Sequence, residues 1–256
     1  MEPKIFGIQH IIYLIVSIAM TVVGLILVAK IKSEKGKFLA VKIGGGVLLF
    51  TITLNRIFCE IFWPGSFLPT SLSGILSFAL AFSLIFCKKN SAVFQYLAFT
   101  ALVTGTIATV YPNYISQGLS FKASETAPAI VHTYYTIFCP PTITSLLHHS
   151  MQIFLSIMVI MLGWVQLDIK RWYAWPLGYA VNVLYGLFMI KIMGNSDSIY
   201  INSAVLPGTF LNWFYGGLLF FLLHLVTLIV IDVIKNKKNC YILQIPKLII
   251  ERFKVK

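Results

Sequence analysis

A histidine pair, a run of hydroxyls and one oppositely charged pair are the residues of this 256-residue chain whose types and spacing could do chemistry. Ser145, His148, His149 and Gln152 follow one another at spacings of three and four after Pro140-Pro141-Thr142. On a helix such residues share a side, so Ser145, one histidine and Gln152 would form a polar stripe. Neighbouring residues point about 100° apart, so one of the two rings is expected to face the site. A histidine whose ring is held by a glutamine amide can act as a general base. Thr70, Ser71 and Ser73 supply hydroxyls just after Pro69, where another helix is expected to open. Unpaired N–H groups and the positive end of the helix dipole gather at such a start, which suits an anion or a developing oxyanion. Capping the helix is the plain alternative for these hydroxyls. Arg56 and Glu60 lie four apart, on one helix face, with Asn55 and Cys59 beside them. They read either as a structural ion pair or as the charged wall of a cavity in which Arg56 grips an anionic head group.

The elements that must position these groups follow from composition. The chain is 58% hydrophobic and 11% charged, with a mean hydropathy of +0.86. A soluble domain carries about 45–50% apolar and about 25% charged residues. This chain cannot cover its own surface in water, which excludes a soluble enzyme. Seven stretches have the roughly 20 mostly apolar residues that a crossing helix needs: 8–30, 43–63, 68–87, 91–111, 142–167, 172–193 and 209–233. The expected fold is therefore all-α, a bundle of seven transmembrane helices over 1–234 with a basic cytoplasmic tail over 235–256. No ten-residue alternating segments suggest a barrel. The first stretch is too long, and its Ile31-Lys32-Ser33-Glu34 exit too unlike a small-residue cleavage site, for a signal peptide.

The net charge of +12 reports topology. Lys30, Lys32, Lys35, Lys37 and Lys42 follow the first span, Lys88 and Lys89 the third, and Lys170 and Arg171 the fifth. Lys235, Lys237, Lys238, Lys247, Arg252, Lys254 and Lys256 follow the seventh. All of these fall on one side, which the positive-inside rule makes cytoplasmic. The amino terminus is then outside and the carboxyl terminus inside, in a multi-pass cell-membrane protein. The charge faces anionic lipid, so no nucleic-acid partner is expected. The histidines and the hydroxyl run both fall in the outer half. Asn182 and Tyr185 on span six, and Asn212, Tyr215 and His224 on span seven, either join helices or line a cavity. The outer loop 112–141, with His132, reads as a lid. Gly44-Gly45-Gly46 predicts close helix packing. Four scattered cysteines give neither a disulfide framework nor a zinc site, and no cofactor or metal is expected.

Two motifs add a resemblance. Leu68-Pro69-Thr70-Ser71-Leu72-Ser73, a span, and then Leu147-His148-His149-Ser150 resemble the YwaF-like bacterial integral membrane family. That family is related to a eukaryotic transmembrane acyltransferase acting on ether lipids, and more distantly to Thr/His membrane hydrolases of fatty-acid esters. Its first motif reads Leu-Pro-x-His-Leu-Cys and its second Tyr-His-Ser. Ser71 then falls on the first motif's His, Ser73 on its Cys, and His149 on the second motif's His, with His148 in place of Tyr. The resemblance implies acyl transfer or ester hydrolysis on a membrane lipid, in a bacterial cytoplasmic membrane. Ser73, Thr70 or Ser71 would be the nucleophile, His149 the base and Arg56 the head-group clamp. Glu60, Asn55, Gln152, Asn182 and Tyr185 would line the substrate site. Serine in place of cysteine is the weaker nucleophile and needs that base. The rival readings are a carrier of a small amphiphile gated by Arg56–Glu60, and a non-catalytic membrane partner.

Overall fold

The computed structural model describes residues 6–111, 139–204, 208–236, 240, 241 and 244. Among them there is no strand. The helices are α1 (Ile8–Ala29), α2 (Glu34–Phe62), α3 (Leu72–Phe86), α4 (Ala92–Val110), α5 (Pro140–Met161), α6 (Ala174–Lys191) and α7 (Trp213–Asn236), with a single tight turn at Ile169–Arg171 before α6. Six of them are long and apolar enough to cross a membrane, counting α6 together with that turn. The exception is α3. It has 15 residues, about 22 Å at 1.5 Å per residue.

Local chemistry explains where the bounds depart from expectation. α2 starts nearer the amino terminus, at Glu34, because the Ser33 side chain accepts the Gly36 N–H and Glu34 pairs with Lys37 at 2.7 Å. α3 starts later than its apolar run. Pro69 disfavours helix at Leu68, and Ser71, in an extended conformation, caps the helix by accepting the Gly74 N–H at 3.2 Å. Thr70 and Ser71 therefore precede the helix, and Ser73 alone of the three lies inside it. The lid expected over 112–141, His132 included, lies outside the described residues up to 138, as does most of the tail over 235–256.

The helices gather into two compact units, a division that the span count does not anticipate. One comprises Met1–Lys89 with Leu97–Trp164, and the other Asn90–Tyr96 with Val165–Lys256. In the first, α2 packs against α3 and α5. A Cβ on Gly44 would meet Leu155 Cδ2 at 2.5 Å, and one on Gly45 would meet Leu84 Cβ at 2.8 Å and the Ala81 carbonyl at 3.1 Å. Two glycines thus let α2 approach both neighbours closely, whereas Gly46 faces open space. At the Glu34 end of α2, Lys89 pairs with Glu34 at 3.3 Å and Lys42 Nζ donates to the Ile85 carbonyl at 2.6 Å. These bonds set α3 antiparallel to α2. Asn55 reaches the start of α5 while Gly44 meets its far half, so α5 also opposes α2. The Ser17 and Ser150 hydroxyls meet at 2.6 Å and Gly24 meets Phe154, which makes α1 parallel to α5. His10 Nε2 bonds the Thr109 carbonyl at 2.9 Å, so α4 runs against α1.

In the second unit, α6 and α7 are antiparallel. Tyr179 OH donates to the Trp213 carbonyl at 2.5 Å, and the Trp175 and Phe221 rings lie 5.7 Å apart. Asn182 Nδ2 donates to the Tyr96 hydroxyl and, at 3.2 Å, to the Gly178 carbonyl. The Tyr185 ring lies 6.4 Å from Phe188. Asn182 and Tyr185 thus have helix-joining and ring contacts within this unit, and are separate in the chain from the motifs of the first.

Candidate functional site

The polar layer of the first unit is built from α2, α3 and α5. Pro140 and Pro141 occupy the first turn of α5, after the cap residue Cys139. Proline fits there because its missing N–H would have had no helical partner. Burial pushes the Cys139 thiol up to about 12. Asn55, buried on α2, donates from Nδ2 to the Pro141 carbonyl at 2.9 Å and to Thr144 Oγ1 at 3.1 Å. The Thr144 carbonyl in turn accepts a bond from His148 Nδ1 at 3.0 Å. Asn55 is thereby a helix-to-helix tie.

Gln152 joins α5 to the start of α3. Its Nε2 donates to the Ser73 carbonyl at 2.7 Å, and its Oε1 lies 3.2 Å from His149 Nδ1. A carbonyl can only accept, so the amide must present its NH₂ to Ser73 and its oxygen to the ring. His149 Nδ1 therefore carries the proton and Nε2 carries the lone pair. The same logic at the Thr144 carbonyl puts the proton of His148 on Nδ1. Both rings are buried, and their centroids lie 4.1 Å apart. The expectation that one ring alone would face inward is corrected: both enter the same layer, one turned back on its own helix and the other held by Gln152.

His10 is the control within the same unit. Its Nδ1 accepts the Phe6 N–H at 3.0 Å while its Nε2 bonds the Thr109 carbonyl, so both nitrogens are spent on the fold. For His148 and His149, no described residue bonds Nε2. Among the described residues, these two buried imidazoles differ from His10 in having Nε2 without a partner.

The hydroxyls are less available than the motif suggests. Ser71 Oγ is spent on the helix cap and lies 3.5 Å from Ser73 Oγ. Neither histidine hydrogen-bonds Ser71 or Ser73. Thr70 is exposed, ahead of the cap. Ser71→Ala is expected to lower stability by about 1 kcal/mol, and Ser71→Gly by a few tenths, the ordering of a capping residue; thermal unfolding of purified protein checks it.

Arg56 and Glu60 are corrected most. Among the described residues, the ion pairs join Glu34 to Lys37 and to Lys89. Arg56 Nε donates to the Phe67 carbonyl at 3.1 Å and Nη2 donates to the Ser66 carbonyl. Glu60 Oε1 accepts the Gly65 N–H at 2.9 Å, at a turn where Gly65 has φ of 87°. The two charges hold the α2–α3 connection instead of each other, because irregular backbone beside an apolar bundle must have its polar groups satisfied. Arg56 and Glu60 therefore form no ion pair with each other.

A cavity of about 460 Å³ lies between α1 and α5, lined by residues such as Val16, Met20, Leu147 and Phe154. Its walls are apolar, and it occupies the face of α5 opposite the histidines. Its hydroxyls, Tyr13, Ser17 and Ser150, bond one another and the Leu146 carbonyl. The Tyr13 and Ser17 pair, four apart in an otherwise oily span, was the signal for this cluster. Gly105 is the other residue that spacing did not single out. A Cβ there would meet Gln152 Cβ at 3.1 Å and the His149 carbonyl at 3.2 Å, so its lack of a side chain lets α4 pack on the histidine layer.

No family model matches this chain, and neither a curated protein nor a solved structure matches it.

Proposed function

We propose that the chain is a seven-helix membrane protein, amino terminus outside, that carries out acyl transfer or ester hydrolysis on a lipid with His149 as general base. The observation that carries this reading is the Gln152 amide, which bonds the Ser73 carbonyl and orients His149 with its Nε2 bonded by no described residue. The alternating directions of α1 to α5 support α3 as a crossing segment despite its length. The lysine distribution supports the orientation, and the two motifs support YwaF-like kinship.

In this reading Nε2 of His149 takes the proton of the attacking hydroxyl, either Ser73 Oγ or water, as that oxygen adds to the ester carbonyl. The ester C–O bond then breaks, and the imidazolium returns the proton to the departing alkoxide. With Ser73 as nucleophile, an acyl-serine forms and passes its acyl group to a second hydroxyl. Arg56, occupied by the α2–α3 connection, serves to hold that segment. The test is turnover of lipid esters by purified protein, followed by mass spectrometry. Wild-type turnover lost in His149→Ala supports the reading, and equal turnover by both overturns it. One observation favours a second reading, a non-catalytic bundle partner: no bond joins either histidine to Ser71 or Ser73. On that reading His149→Ala lowers the melting temperature while the wild type turns over nothing.

A further inference from the structure

We infer that the cavity between α1 and α5 is a binding site for one fatty-acyl tail of a membrane phospholipid. The inference rests on α1 and α5 being membrane helices. It is independent of the acyl chemistry, because the cavity lies on the face of α5 opposite His149.

The cavity is a trough along two parallel helices. On α1 its lining runs from Ile12 through Val16 and Met20 to Gly24, and on α5 from Ile143 to Phe154. Steps of four keep to one side of a helix, so the trough extends about 18 Å along α1 at 1.5 Å per residue. One leaflet's share of a hydrocarbon layer about 30 Å thick is about 15 Å. The trough is therefore as long as the tails of one leaflet. Its volume of about 460 Å³ falls within the range of about 300–1,000 Å³ typical of small-molecule sites. The innermost lining residues meet one another: a Cβ on Gly24 would lie 2.7 Å from Phe154 Cε2. That contact gives the trough an inner end, against which a tail's terminal methyl would stop.

The lining selects hydrocarbon. Tyr13 OH donates to the Leu146 carbonyl, and Ser150 Oγ donates to the same carbonyl at 2.9 Å. Ser17 Oγ lies 2.6 Å from Ser150 Oγ. A hydroxyl has one proton, so with that of Ser150 committed, Ser17 donates to it. All three protons are then used within the cluster, and none is left to bind a head group. A helix of another protein is the rival occupant. Membrane helices approach one another through small residues and hydroxyls, but here Ser17, Ser150 and Gly24 already join α1 to α5. What remains at the lips is exposed and aliphatic, Ile12, Val16 and Leu147, with the adaptable thioether of Met20. Such lips follow a flexible tail.

The experiment uses the full chain in phosphatidylcholine vesicles that contain a trace of phosphatidylcholine whose tail ends in a photoreactive diazirine. Peptide mass spectrometry locates the adducts. Met20 and Ile18 are 61% and 63% exposed on the same helix, and Ile18 lies outside the trough. Lipid that merely surrounds the protein would reach both alike. Wild-type adducts are expected to concentrate at Met20 and Phe154. Val16→Trp with Leu147→Trp fills the trough and should lower those adducts about tenfold, the loss of roughly two buried methylene groups, while Ile18 labelling stays. Ile18→Trp should leave the Met20 and Phe154 adducts unchanged. If the double variant shows no thermal transition, Val16→Phe alone is read instead, with a loss in the same direction. Labelling that the filling variant does not reduce, or that falls equally at Ile18, overturns the site. So does a dimer in native mass spectrometry that the filling variant dissolves, because the trough would then be a helix interface. The same adducts from a diazirine fatty acid, but not from the phospholipid, would overturn the phospholipid as occupant.

Discussion

His149→Ala is expected to slow lipid-ester turnover by about 10²–10⁴-fold at neutral pH, the usual contribution of a positioned general base. The companion variant is Gln152→Leu, apolar and without the amide. It removes the acceptor that keeps the proton on His149 Nδ1, so the ring can take the other tautomer or rotate. Turnover should fall with little change in substrate affinity, because Gln152 acts through the ring. The stability cost should be modest, about 1 kcal/mol, because the Ser73 carbonyl keeps a bond from Ser77 Oγ at 3.0 Å. Gln152→Glu separates the two bonds: a carboxylate can still accept from Nδ1 but presents only oxygen to the Ser73 carbonyl. Retained activity in Gln152→Glu would locate the effect in the His149 bond, and a loss matching Gln152→Leu in the grip on α3. Full activity in all three variants would remove the histidine from the chemistry.

The second large effect is predicted at Gly45, with Gly46 as its reference. In a helix interior, glycine to alanine gains up to about 1 kcal/mol from propensity alone. Gly46→Ala adds a methyl to open space and should keep that gain. Gly45→Ala drives its methyl to 2.8 Å from Leu84 Cβ and 3.1 Å from the Ala81 carbonyl, neither of which is the flexible end of a side chain. α2 and α3 must then separate, and overpacking of this kind costs about 1–3 kcal/mol. Adjacent residues should therefore move the melting temperature in opposite directions, measured in one detergent. Equal shifts would mean that α2 and α3 are not in close contact.

The helices were legible in the sequence because one signal, a run of about 20 apolar residues, dominates everything else. Their ends were less so. The late start of α3 depends on Pro69 and the Ser71 cap, short-range chemistry that outweighs the apolarity of Phe67 and Leu68. For the site, the spacing of His149 and Gln152 brought the right pair together, since three residues apart on a helix is a contact. Spacing could not show that His148 shares the layer, because a ring near the helix boundary of a polar stripe turns inward when a carbonyl such as that of Thr144 is there to receive its N–H. Arg56 and Glu60 show the opposite error. Four apart with opposite charge suggests a pair, yet unsatisfied groups of the Ser66–Phe67 segment and Gly65 compete for both. A one-dimensional pattern counts neighbours along a helix and leaves out the backbone that folds back onto it.

If α3 crosses the membrane, as proposed above, its 15-residue length has a consequence for the surrounding bilayer. A lipid film next to an apolar helix shorter than its own hydrocarbon layer thins to meet it, at a fraction of a kcal/mol per ångström. Against a layer of about 30 Å, an α3 that crosses would fall short by about 8 Å, a mismatch of a few kcal/mol. That energy belongs to the host bilayer as much as to the protein. Short-chain lipids relieve it and long-chain lipids raise it. Around α3 the film would dimple, lowering head groups and ester linkages toward the level of Ser73. A lipid there would reach the histidine layer without being lifted out of its leaflet, so chain length in the membrane would tune both residence and reactivity.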